Sequence, residues 1–412
     1  MAGRPRSRQT PAGPDRARPG PRAWPRLDGR FATRGQPAAL AAVERMIAAG
    51  APQALLIVGP ASAGKTTLAL DLARGLLCHA DDAAARPCGA CRSCRLVDAG
   101  EHQDLHRLAP EGPGRQVRIG DADDPDPGTV RHLVRELARL PVEGARRVAI
   151  VEGAHRLNED AQNALLKTLE EPPPGATVIL CADEPERLLP TVRSRTAVLR
   201  LGPVGIRDLE AFLAEHDVQP PESARLARLA DGRPGVALAL AAAPGAVAAR
   251  EELGRALLDL AAAGTAARLA TGRDLLARAT DLARGGMAAP GGPAGGPMGE
   301  PAAGGSGDGS DARPARGSPA ERRSATEALL ATWTAVARDL AVVAAGSPGA
   351  VRDLALLDDL ASTSSRLPPG SAAAFLGRLT RAAELLESNA NPELLVDVLI
   401  LAWPRAAAGS TG

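Results

Sequence analysis

The sequence predicts an open α/β fold with a parallel sheet, followed by an all-helical C-terminal region. Three short apolar runs, Ala54–Val58, Arg147–Val151 and Thr177–Ala182, have the length and β-branched content of strands buried on both faces. Helical patterns separate them at Thr66–Leu77, Thr129–Leu140 and Glu159–Leu169, and strands alternating with helices of this length build parallel sheets. From Ile206 onward no strand pattern stands out, and Ala/Leu/Arg-rich helical segments dominate.

The flanks and the charge balance narrow the class. Residues 1–27 are rich in Pro, Arg and Gly without apolar periodicity and read as a disordered basic tail. Residues 284–323 form a Gly/Pro/Ala/Ser stretch too poor in apolar surface to offset its ordering entropy. With 412 residues the chain has room for two or three cored domains. A net charge of +1 excludes a general electrostatic magnet for nucleic acid. Six aromatic residues (three Phe, three Trp, no Tyr) argue against base stacking as a binding mode. No apolar run approaches the ~20 residues that span a bilayer, and no secretory leader is evident, so a cytoplasmic protein is expected. Lys65 and Lys167 are the two lysines among 49 basic residues. They mark places where a point charge serves and arginine's planar fork does not.

Lys65 sits in Gly59-Pro-Ala-Ser-Ala-Gly64-Lys65-Thr66, directly between the first strand and the first helix. This is the P-loop pattern in the context that gives it meaning. Gly59 and Gly64 let backbone N–H groups curl round phosphates, and the helix N-terminus adds its dipole. Lys65 reaches the β/γ-phosphates, and Thr66, with Thr67 beside it, faces Mg²⁺. ATP and Mg²⁺ are therefore candidate ligands. Glu152, after the second strand, stands where such ATPases carry their metal-side carboxylate, one methylene longer than aspartate. Gly153 follows, and it has no side chain to act as a base for water.

Four of the five cysteines, Cys78, Cys88, Cys91 and Cys94, have the spacing of a tetrahedral Zn²⁺ site. Four thiolates close the coordination shell, so the metal would be structural. Gly89 and Ser93 suit tight turns between ligands, and Cys181, alone in an apolar strand, reads as core. His79, His102 and His106 lie nearby without being needed as ligands. Further on, Asn163-Ala-Leu-Leu-Lys167-Thr-Leu-Glu170-Glu171-Pro172-Pro173 is a helix and its stop, with Leu165, Leu166 and Leu169 on one face. Leu188-Leu-Pro190-Thr191-Val-Arg193-Ser194-Arg195-Thr196 follows the third strand, and Asp231-Gly-Arg233-Pro-Gly235 lies in the helical region.

Together these segments, in this order over about residues 28–245, resemble the clamp-loader subunits of bacterial DNA polymerase III, within the AAA+ superfamily. The resemblance includes Gly35-Gln36, Gly100-Glu-His102-Gln-Asp104-Leu and Leu140-Pro-Val-Glu-Gly144, and it extends more weakly to Trp333, Asp339-Leu340 and Asn389-Ala-Asn391-Pro392. It implies a AAA+ P-loop core at 28–200 with an inserted four-cysteine zinc module at 78–94, a small helical lid at 201–245 and a helical collar at 246–412. It also implies a ring with gamma/tau and delta subunits that loads the sliding clamp onto primed DNA. In that ring Ser194-Arg195 supplies an arginine finger, catalytic in trans, to a neighbour's ATP. Here Thr196 replaces the family's cysteine.

Two departures separate the chain from the family's gamma/tau motors. Gly153 stands at the catalytic glutamate's position, and Gly235 stands where the motor carries its sensor arginine. Both favour a mostly non-hydrolysing stator of the delta-prime type. The alternative is an active gamma/tau-type motor that retains Glu152.

Overall fold

The computed structural model describes residues 30–110, 117–121, 123, 125–283, 318–388 and 390–406. The expected basic tail, Asn389 and residues 284–317 of the low-complexity stretch lie outside the described residues.

Five strands form one parallel sheet: β1 (Ala54–Val58), β2 (Leu105–Leu108), β3 (Arg147–Val151), β4 (Ala176–Ala182) and β5 (Ala197–Arg200). Their order is β2-β3-β4-β1-β5. The three apolar runs are thus the inner strands, buried along their whole length. The sequence reading missed both edges. β2 (Leu-His-Arg-Leu) is mostly half-buried, and β5 is mostly exposed, so neither carries the apolar run that marks a strand covered on both faces.

Helices α1 (Pro37–Ala49), α2 (Lys65–Leu77) and α3 (Arg92–Ala99) precede β2; α4 (Val130–Leu137) precedes β3; α5 (Glu159–Glu170) and the single turn α6 (Pro190–Arg193) flank β4. Val43, Leu68 and Leu72 pack with Ile57, Ile150 and Ile179 on one sheet face. Leu133, Leu137, Leu165 and Leu169 pack with Leu56, Val178 and Leu180 on the other. The expected helix to Leu140 stops at Leu137, because Pro141 pushes the residue before it out of the helical region.

Past the sheet the described residues are helical, as expected. Helices α7 (Ile206–Ala214), α8 (Glu222–Ala230) and α9 (Pro234–Ala242) share a small core around Leu209, Leu213 and Leu226. Helices α10 (Pro244–Asp259), α11 (Thr265–Leu282), α12 (Pro319–Ala344), α13 (Leu357–Ser364), α14 (Ser371–Glu387) and α15 (Pro392–Ala402) share a larger one. Its centre is aromatic: Trp403 lies 5.6 Å from Trp333 and 4.8 Å from Phe375 between ring centroids.

Helix α12 begins inside the segment read as low-complexity. Ser318 and Glu321 form a reciprocal capping box there, a signal that the Gly/Pro-rich composition around it obscured. No helix among the described residues is long and apolar enough to cross a membrane.

Candidate functional site

The strand order places β4 between the P-loop strand β1 and the strand β3 that ends in Glu152. Three chain ends therefore converge at the carboxyl edge of the sheet, where ligands of open α/β sheets bind. After Val58 the chain turns through the P-loop, and Gly64, with φ of 96°, caps α2 so that helix begins at Lys65. Gly59 is demanded by space, since a Cβ there would lie 2.7 Å from the Leu201 carbonyl oxygen. The first turn of α2 leaves its N–H groups open, as every helix start does.

The charged groups of this site face one another. Lys65 Nζ lies 2.6 Å from Asp183 Oδ1, just past the end of β4, and donates to the carbonyls of Gly59 (2.9 Å) and Pro60 (2.6 Å). Asp183 N–H in turn donates to His155 Nδ1 at 3.2 Å. Burial lowers the pKa of His155 below the ordinary histidine value. Glu152 Oε1 lies 2.6 Å from Arg107 on β2, while its Oε2 accepts from Thr66 Oγ1 at 3.4 Å. The lysine and the carboxylate that the sequence assigns to phosphate and Mg²⁺ thus each have an internal counter-ion. Asp183 and Arg107 were missed because their relation to the P-loop exists only through strand order.

The two glycines that depart from the motor pattern are closely packed, and Gly153 also takes a left-handed backbone. Gly153 has φ of 58°, and a Cβ there would meet Pro110 Cγ at 3.0 Å. Gly235, at the start of α9, donates its N–H to the Ser62 carbonyl at 3.1 Å, and a Cβ there would lie 3.1 Å from Ser62 Cβ. The small helical unit rests directly on the P-loop through this contact. Arg233 donates its Nε–H to the Ala230 carbonyl at 3.1 Å.

Thr67 is half-buried in the first turn of α2. Lys167 is exposed on α5. Ser194 and Arg195 are exposed in the turn between α6 and β5. Arg195 Nη1 donates to the Thr191 carbonyl at 3.0 Å, and its Nε lies 2.7 Å from Glu170 Oε1.

The four cysteines of the insertion come together with all Sγ atoms within 4.8 Å of one another. Four thiolates each about 2.3 Å from a tetrahedral ion lie about 3.8 Å apart, and Cys78 and Cys91 are 3.9 Å apart. The donor set and its spacing fit a metal ion. Backbone N–H groups of Ala90 and Cys91 pull the Cys88 thiol down to about 6, whereas burial pushes Cys94 up.

Gly89 takes φ of 70° in the turn, as expected. Ser93 does not lie in a turn. It sits fully buried in the first turn of α3, where its hydroxyl donates to the Leu77 carbonyl (2.6 Å) and meets His102 Nε2 at 2.9 Å. His102 is a packing residue, and Asp104 accepts from the N–H groups of Val142 and Glu143 (2.7 and 2.8 Å). The module is thereby tied to both α2 and the approach to β3. Cys181 is buried in β4, apart from the four.

Residues 35–205 match the family model described as DNA polymerase III, delta subunit. The chain is 41% identical over 142 residues to the DNA polymerase III subunit delta′ of Pseudomonas aeruginosa, covering 34% of this chain and 40% of that one. It is 40% identical over 189 residues to the delta′ subunit of Escherichia coli, covering 45% and 54%. The gamma/tau subunit of Mycobacterium tuberculosis is 38% identical over 164 residues, covering 39% and 26%. The matches span about half the length of these delta′ relatives or less. Residues 35–205, an α/β core with the P-loop, the cysteine cluster and the Ser194-Arg195 turn in place, are thus similar to the delta′ subunits of bacterial DNA polymerase III.

Proposed function

We propose that this chain is a delta′-like stator of a DNA polymerase III clamp loader. It works in the cytoplasm, in a hetero-pentamer with gamma/tau and delta subunits that places the sliding clamp on primed DNA. Its contribution to catalysis is Arg195, offered to ATP on a neighbouring subunit. The observation that carries this reading is the position of Arg195 along the sheet edge. Val58, just before the P-loop, pairs with Arg200, whereas Arg195 precedes the start of β5 opposite Leu55. The four extended residues Ala197–Arg200 separate Arg195 from the P-loop end of that edge, on the order of 13 Å. The guanidinium is thus badly placed for its own nucleotide site and well placed for a subunit docked along the exposed edge strand.

The own site supports the same reading. ATP and Mg²⁺ would be held by Lys65, Thr66, Thr67 and Glu152, with Gly59 and Gly64 shaping the loop, and a bound metal would stabilise charge on the phosphates. Lys65 and Glu152 have other partners here, and Gly153 leaves no carboxylate to activate water. The cysteine cluster is read as a structural Zn²⁺ site. On the collar, α15 exposes Leu394, Val398 and Leu401 at helical spacing, 64%, 65% and 41% accessible. Such a stripe fits burial against neighbouring collars.

The test uses a reconstituted loader carrying Lys65→Ala with Asp183→Asn in this subunit, so that no charge is left unpaired. ATP turnover with clamp and primed DNA should stay close to wild type. A collapse with the complex intact would favour the motor alternative. A second expectation concerns Arg107, which acts as an internal cation for Glu152. In the isolated chain, Arg107→Ala should tighten Mg²⁺-dependent binding of a fluorescent ATP analogue by roughly tenfold, about 1.4 kcal/mol. Unchanged affinity would remove Arg107 from the account.

A further inference from the structure

Arg195 is not a free arm. Its Nε edge faces Glu170 Oε1 at 2.7 Å, and one Nη1–H is used by the Thr191 carbonyl at 3.0 Å, with Ser194 Oγ at 3.4 Å. A guanidinium carries five donors in one plane. Among the described residues Nη2 makes no hydrogen bond, which leaves its two donors and the second Nη1 donor available to a ligand. Those remaining donors are the ones that match phosphate oxygens in a bidentate contact. Glu170 is the last residue of α5, so its place is set by a helix packed on the sheet. Arg195 lies in the turn after a one-turn helix and would otherwise sample many rotamers.

Accepting that Arg195 serves a neighbour's nucleotide, we propose that Glu170 is a positioning residue for it. The carboxylate fixes the guanidinium in the orientation needed before the subunits meet, so that little rotamer entropy remains to be lost in the transition state. Its role runs through the Arg195 guanidinium alone. Immobilising one long side chain is worth a few-fold to about tenfold in rate, and that is the effect expected of its loss.

The experiment is ATP turnover by the reconstituted loader, with clamp and primed DNA, for subunits carrying Glu170→Ala, Glu170→Gln, Arg195→Ala and Glu170→Ala/Arg195→Ala. Glu170→Ala should lower kcat several-fold to about tenfold with KM for ATP and ring assembly unchanged. Glu170→Gln, which keeps an acceptor oxygen, should recover part of the loss. In the Arg195→Ala background, Glu170→Ala should cost nothing more in single-turnover rate, because its effect runs through the guanidinium.

A collapse with Arg195→Ala but normal or raised turnover with Glu170→Ala overturns this inference and leaves the finger standing. An equal loss from Glu170→Ala in both backgrounds also overturns it, since it would show a merely structural role. If Arg195→Ala itself leaves turnover unchanged, the finger reading fails and this inference falls with it.

Discussion

Replacing Arg195 by alanine in a reconstituted loader should lower ATP turnover at the neighbouring subunit by on the order of 10³-fold or more, the value of arginine fingers in related phosphoryl transfers. The cause is electrostatic. Charge spreads over the γ-phosphoryl oxygens in the transition state, and a preorganised guanidinium stabilises it with little reorganisation. The subunit itself should fold and assemble normally, because Arg195 is exposed and its polar contacts among the described residues are those with Glu170, Thr191 and Ser194. Arg195→Lys should recover little, since an ammonium cannot reproduce the two-pronged geometry. Pre-steady-state measurement of the DNA-stimulated burst isolates the affected site from the others in the ring. An unchanged burst would refute the role in trans.

The second large effect concerns the cysteine module. Freshly reduced protein should carry one Zn²⁺ per chain, and Cys88→Ser/Cys91→Ser should reduce that to none. Structural zinc contributes about 10–16 kcal/mol of apparent binding energy in small zinc domains. The module's own apolar burial is slight: Cys78, Cys94 and Val97 are its buried apolar members between residues 78 and 99. Stripping the metal should therefore unfold this insertion locally, seen as new protease cuts between residues 79 and 99. The sheet should persist, because its two faces are covered by helices outside the module. Metal analysis that finds no zinc in reduced protein would contradict the assignment. Full unfolding of the core on chelation would show that Ser93 and His102 bear more of the structure than their two contacts suggest.

The features legible in the sequence are those whose meaning is local. A glycine-rich turn between an apolar strand and a helix reads as a P-loop because chain neighbours alone build it. Cys78, Cys88, Cys91 and Cys94 read as a metal site because short spacings bring them together, and the structure gathers their sulfurs within 4.8 Å. Buried strands announced themselves by apolar runs, whereas edges such as Leu105–Leu108 and Ala197–Arg200 carry no such run. Arg268 shows the same limit in the C-terminal helices. It is fully buried with no counter-ion among the described residues, and its guanidinium donates to the carbonyls of Ala261, Ala263, Ile400, Trp403 and Pro404. It thereby offsets the negative end of α15. Nothing in the run Ala-Arg-Leu-Ala distinguishes that arginine from a surface one.

By itself the sequence determined the fold class, the P-loop, the cysteine set, the glycines at 153 and 235 and the arginine at 195. Tertiary structure decided what these groups face. Lys65 meets Asp183 because β4 pairs with β1, and Glu152 meets Arg107 because β2 pairs with β3, a matter of strand order that no local pattern encodes. Gly235 rests on Ser62, some 170 residues away in the chain, because the small helical unit packs back onto the sheet edge. Short-range interactions depend on residues close in sequence and can be read from it. Charge pairing across strands depends on the order in which the sheet assembles, and that order is set by packing of the whole core.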